Sequence, residues 1–348
     1  MIKKTWINTR KKAGRNLKGR KCGLALLLAF SAAFLLGCAS SQSDQRAGQE
    51  KSDRTGREKI KVVTTIFPQY DFVRELAGDR VDLKMLLKPG EESHSYEPTP
   101  KDIIDIQNCD LFIYVGGEND AWVEDILESM DNRGRRDLRL VDCVDTVEEE
   151  HVKGMKEERH VGTEEAHEGE LDEHVWTSPK NAERIVEKLS ELLGEADPEY
   201  AEEYRKKAQA YEGKLKNLDL QFQKVVEESP GHTLLFGDRF PFRYFAEEYG
   251  LDYYAAFPGC ASDTEPSAST MAFLINKVKE DKIPVVLKME LSNDQIAKAV
   301  AEATGARVKV FYSCHNITAE QFKEHVTYLD MMEKNVETLK EALADGTD

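Results

Sequence analysis

Four side chains of metal-binding type stand just past apolar runs at widely spaced points of the chain. His94 follows "VDLKMLL" and precedes the helical pattern "PKDIIDI". His174 lies in "LDEHVWTSPKN", between an irregular stretch and a helix start. Asp238 closes "TLLFGD", and His315 follows "RVKVFYSC". One such histidine would read as an ordinary hydrogen-bonded surface residue. Two from the first half, converging with an Asp and a His from the second, would suit a tetrahedral divalent cation with Zn–N near 2.0–2.1 Å. A carboxylate among imidazoles keeps Mn²⁺ open, because affinity order alone does not choose the metal. Imidazole binds metal only when neutral, so affinity is expected to weaken as pH falls through roughly 6.5.

Four protein ligands leave no open position for an activated water, which points to binding rather than catalysis. The alternative is a cell-surface zinc-dependent hydrolase, which needs a general base near the metal. Glu265 is the candidate base, and no His-Glu-x-x-His segment supports this reading. An organic-solute receptor is a third class. Glu97 reads as the start of a helix, and Trp122 and Trp176 as packing residues. His151, His160 and His167 lie in "EEEHVKGMKEERHVGTEEAHEGELDE", a stretch with no usable period that either gathers metal weakly or is a solvated insertion. His232 and His325 read as surface residues.

The elements that must position these groups follow an α/β rhythm. "IKVVTTIF", "VDLKMLL", "DLFIYVGG" and "LRLVDCV" read as strands alternating with the helical stretches "QYDFVRELAG", "PKDIIDIQNC" and "DAWVEDILESM". "TLLFG", "LDYYAAF", "PVVLKME" and "RVKVFYS" repeat the pattern with their own helices. Between the halves, about Pro198 to Glu228 predicts one helix of roughly 45 Å at 1.5 Å per residue. The expected fold is α/β: two lobes with mainly parallel sheets, joined by one long rigid helix, with ligands at strand carboxyl ends in the cleft. The expected boundaries are 59–195 for the first lobe (with 148–173 as an acidic His-containing loop), 196–228 for the helix and 229–348 for the second lobe.

Residues 1–37 hold nine basic and no acidic residues, which leaves 39 of the 48 basic residues against all 65 acidic ones in the remainder. A net charge of −17 makes nucleic acid an unsuitable partner. The leader has a basic n-region and an apolar run of about 15 residues, short of the roughly 20 of a membrane span. It ends in Leu35-Leu36-Gly37-Cys38, which resembles a bacterial lipobox. That resemblance makes 1–38 a signal peptide, Cys38 the lipidated residue and 39–58 a flexible tether outside the membrane. Outside the membrane cysteines tend to pair. Of the three connectivities open to Cys109, Cys143, Cys260 and Cys314, the lobe-local 109–143 and 260–314 is the simplest. Free buried thiols or a thiolate ligand are the alternatives.

The chain resembles the metal-receptor class of ABC-transporter substrate-binding lipoproteins from about Lys61 to Leu343. The matching segments are "VVTTIFPQYDFVRELAGDRVDLKMLLKPGEESHSYEPTPKDI", "DLFIYVGGENDAWVEDIL", "DEHVWTSPKNA", "YFAEEYGL" and "TYLDMMEKNVETLKEAL". The resemblance implies zinc (or manganese) carried as cargo, an ABC permease as partner, a monomer anchored outside the bacterial membrane, and small rather than wide lobe motions. It places the first two ligands on His94 and His174. The third family position, counted back from Tyr244, is Arg239, a cation that cannot ligate, and a one-residue insertion would restore Asp238. His315 takes the fourth place, with Cys314 or Glu265 as substitutes.

Overall fold

The computed structural model describes residues 58–92, 96–117, 120–132, 134–155, 171–261 and 265–345. The leader with Cys38, the tether, His94, His160 and His167 lie outside the described residues. No helix among the described residues is long and apolar enough to cross a membrane.

The β-branched run near the start forms β1 (Ile60–Thr64), followed by α1 (Phe67–Ala77), β2 (Val81–Met85), α2 (Pro100–Gln107), β3 (Leu111–Tyr114), α3 (Ala121–Ser129) and β4 (Arg136–Arg139). These strands form a parallel sheet in the order β2-β1-β3-β4. Two helices follow, α4 (Pro179–Ala196) and α5 (Ala201–Glu228). The second half comprises β5 (Thr233–Phe240), α6 (Arg243–Tyr249), β6 (Asp252–Pro258), α7 (Ala268–Glu280), β7 (Val285–Lys288), α8 (Gln295–Thr304), β8 (Arg307–Val310), α9 (Ala319–Lys323) and α10 (Tyr328–Ala342). Its parallel sheet has the order β6-β5-β7-β8, the same pattern as the first.

Strand alternation divides the core. Val62, Leu111 and Ile113 of the first sheet and Leu234, Phe236, Val285 and Leu287 of the second enter one shared core. The intervening Val63, Phe112 and Tyr114 pack in a separate cluster with Ile106 and Val123. Leu235 and Val286 pack likewise with Leu274 and Val300. The shared core is filled by α5, whose buried Tyr204, Ala208, Tyr211, Leu215, Leu218, Phe222 and Val226 follow helical spacing. Its 28 residues span about 42 Å. The two sheets are therefore held by continuous apolar packing as well as by the chain that joins them.

The last helix ties the halves further. Thr327 and Asp330 cap α10 reciprocally, and the Tyr328 N–H donates to the buried Asp71 on α1 at 2.7 Å. Burial pushes the Asp71 carboxyl up to about 6 against the opposing influence of Arg74.

Candidate metal centre

In each sheet the strand order reverses direction beside the first strand, which opens a crevice at the carboxyl ends. His174 reaches this region from the segment just before α4. Ser178 caps α4 by accepting from the Asn181 N–H, and Pro179 opens its first turn. The preceding residues are held from several sides. The Tyr244 hydroxyl donates to Asp172 O at 2.6 Å, Trp176 Nε1 donates to Ser313 O at 2.8 Å, and the Tyr328 hydroxyl donates to Trp176 O at 2.7 Å. Trp176 thus does more than pack, because it hydrogen-bonds to the loop that carries His315.

The His174 ring is fully buried. Its Nδ1 lies 3.1 Å from Asp172 Oδ1, which also accepts the His174 N–H at 2.8 Å. A carboxylate on one imidazole nitrogen fixes the ring and leaves Nε2 as the nitrogen to which a cation would bind. Burial alone would lower the His174 pKa, but the Asp172 charge and hydrogen bond, with Glu173 and Glu149, raise it above the ordinary value.

Around that ring, Glu173, His174 and Cys260 each offer a ligand atom within 4.8 Å of the others. Glu173 needs Gly117, at the end of the "YVGG" turn. A Cβ there would stand 2.6 Å from Glu173 Oε2, and the backbone φ of +122° suits only glycine. Cys260 follows Gly259, where a Cβ would come within 3.1 Å of His174 Cε1 and 3.0 Å of Phe240 O. The His315 ring stands 5.5 Å from His174 and 5.0 Å from Trp176, edge-on to both. Its loop is aimed by Cys314, a buried residue at φ +60°, and its carbonyl accepts from the Phe67 N–H at 3.3 Å. The neighbouring Asn316 donates to Lys88 O and Glu91 O, both at 2.8 Å, and so holds the stem of the segment that contains His94.

Asp238 departs from expectation. β5 runs on to Phe240 and carries a register shift between Phe236 and Arg239, a one-residue irregularity of the sort the sequence demanded. Both carboxylate oxygens of Asp238 are engaged within the second half. Asp238 Oδ2 accepts from the Met289 N–H at 2.9 Å and from the Ser292 hydroxyl, while Oδ1 accepts from the Arg239 N–H at 2.9 Å. It joins β5 to the turn after β7. Arg239 is buried, donates to Ala261 O at 3.2 Å and pairs with Glu92 at 3.1 Å.

The disulfides expected for Cys109–Cys143 and Cys260–Cys314 are not formed. Cys109 Sγ donates to Ile106 O, Cys143 Sγ to Arg139 O and Cys314 Sγ to Tyr312 O, so three thiols are turned onto backbone carbonyls of their own segments. Glu265, the nominated base, is exposed and lies outside the metal-holding group. Glu97, His151 and His325 are exposed as well. At the ends of the acidic insertion Glu148 bridges Leu171, the Asp172 N–H donates to Val147 O, and Met155 is buried. Glu173 and Cys260 are the functional candidates that sequence reasoning left out of its ligand set. The signal for Glu173 was its place beside His174.

Residues 62–342 match the family described as zinc-uptake complex component A, periplasmic. The chain is 30% identical over 318 residues to the zinc-binding lipoprotein AdcA of Streptococcus pneumoniae, covering 91% of this chain and 60% of that protein. It therefore spans less than two thirds of that relative. It is 31% identical over 327 residues to the high-affinity zinc uptake system protein ZnuA of Bacillus subtilis, covering 91% of this chain and 97% of that one. Among solved structures, the Zn(II)-bound ZnuA-like domain of Streptococcus pneumoniae AdcA superimposes with a TM-score of 0.68 at 29% identity, covering 82% of this chain and 99% of the domain.

Proposed function

We propose, since this chain belongs to the family of periplasmic zinc-uptake components, that it captures a divalent transition metal outside the membrane and passes it to an ABC import permease. The observation that carries the reading is the buried His174, fixed through Nδ1 by Asp172, with Glu173, Cys260 and His315 grouped around it. His174 and His315 supply nitrogen ligands, and Glu173 replaces Asp238 as the carboxylate. His94, placed by the resemblance, is the third imidazole. Zinc is the favoured cargo, in keeping with the printed names of the relatives, and Mn²⁺ is the alternative. The protein acts as a monomer held at the membrane by a lipid on Cys38. The relatives are named for binding and uptake, which favours a carrier over the hydrolase reading.

The test is calorimetry on metal-stripped protein. Tight 1:1 binding of Zn²⁺ or Mn²⁺ is expected. Absence of stoichiometric binding by either ion would overturn the proposal.

A further inference from the structure

We propose that Cys260 supplies a thiolate to the captured cation, so that the site is a mixed nitrogen–oxygen–sulfur centre that favours zinc over manganese. The inference rests on the reading of this pocket as a metal receptor and names the residue that sets its selectivity.

The Cys260 side chain is built into the site. Its Sγ shares the 4.8 Å group with the buried Glu173 and His174. Its N–H donates to Glu149 Oε1 at 2.9 Å, which pins the turn after β6 to the stem of the acidic insertion. Gly259 lets that turn lie directly against the His174 ring. The other three cysteines provide the contrast. Their sulfurs are turned onto backbone carbonyls. Burial pushes the Cys109 thiol up to about 12 and the Cys143 thiol up to about 11. Those two are held as neutral packing groups. Cys260 is half-buried and faces a carboxylate and an imidazole that would share a cation with it.

Thiolate is a soft donor that zinc accepts readily, whereas manganese prefers oxygen and nitrogen. On binding, the S–H bond breaks, the sulfur–metal bond forms with the sulfur's electron pair, and the proton leaves to solvent. One thiolate and one carboxylate then balance the charge of the dication within a buried pocket.

Cobalt(II) loading of the metal-stripped full chain tests the idea. The wild type is expected to show the near-ultraviolet thiolate-to-cobalt charge-transfer band. Cys260→Ser should lose that band, and Cys143→Ser, whose sulfur lies on Arg139 O, should keep it. In competition titrations Cys260→Ser should lose roughly tenfold or more in zinc affinity while manganese affinity stays within about threefold. Stoichiometric cobalt and zinc binding without a sulfur band, or with a band that survives in Cys260→Ser, overturns this inference and leaves the receptor reading standing. Failure of the wild type to bind any of the three metals overturns both.

Discussion

The two sheets share one strand order, so each offers a crevice at its carboxyl end. They fill it differently. At the first, Asp120 accepts from the Val115 N–H at 2.7 Å and the Gly116 N–H at 3.2 Å, which holds the "YVGG" turn open for Glu173. At the second, Asp238 closes the gap between β5 and the turn after β7, and the buried Arg239 guanidinium beside it donates to Ala261 O and pairs with Glu92. In the proposed site the second half contributes through its outer strands instead, with Cys260 after β6 and His315 after β8. Topology provides the crevice, and the hydrogen bonding of its carboxylates decides whether it binds or braces.

The contrast breaks most directly by exchanging the roles of His174 and Asp238. If the five proposed ligands share the roughly 10–16 kcal/mol of a structural zinc site, loss of one costs about 2–3 kcal/mol, roughly thirty- to two-hundredfold in affinity. Calorimetry on His174→Ala should show that loss, and Asp238→Asn should leave zinc affinity unchanged. An equal loss in both variants would end the distinction drawn here.

The bracing carboxylates can be told apart by pH. Burial pushes the Asp120 carboxyl up to about 6, against the lowering influence of the Val115 and Gly116 N–H groups. The folded state then holds this proton more tightly than the unfolded chain. Its contribution to stability is complete below pH 4 and is lost as pH rises through about 6, a change of about 3 kcal/mol. Urea denaturation from pH 4 to 7 should show a flatter stability profile in Asp120→Asn than in the wild type. Identical profiles would remove Asp120 from the argument.

Asp238→Ala leaves the half-buried Met289 N–H without its acceptor and should lower stability by about 1 kcal/mol, read as a fall in Tm with zinc stoichiometry intact. The smallest effect is expected at Gly259→Ala. The added methyl crowds His174 Cε1 and Phe240 O, which should weaken zinc binding about fivefold, near 1 kcal/mol. Full affinity in this variant would show that the turn bearing Cys260 can yield.

Much of the fold was legible because local patterns and tertiary packing agree. Seven of the apolar runs became strands and the periodic stretch ending at Glu228 became α5, whereas in "LRLVDCV" β4 ends at Arg139 and Leu140–Cys143 wind into a 3-10 turn. His174 was legible because it sits between an irregular segment and a capped helix. The partners of Asp238 were not legible because its strand continues past Gly237, and nothing local reveals that its carboxylate will meet the Met289 N–H and the Ser292 hydroxyl. The disulfides were misread for a related reason: cysteine spacing carries no information about the direction in which each sulfur points.

The amino-acid order by itself determined the alternation of strands and helices, the long helix, and the loops on which histidines would stand. Those depend on periodicity and capping within a few residues of chain. Only the tertiary structure decided that Glu173 and Cys260 join His174 while Asp238 and Arg239 turn to other partners. A ligand set is a matter of angstroms between residues far apart in the chain, and those distances are fixed by packing of the shared core rather than by any local pattern.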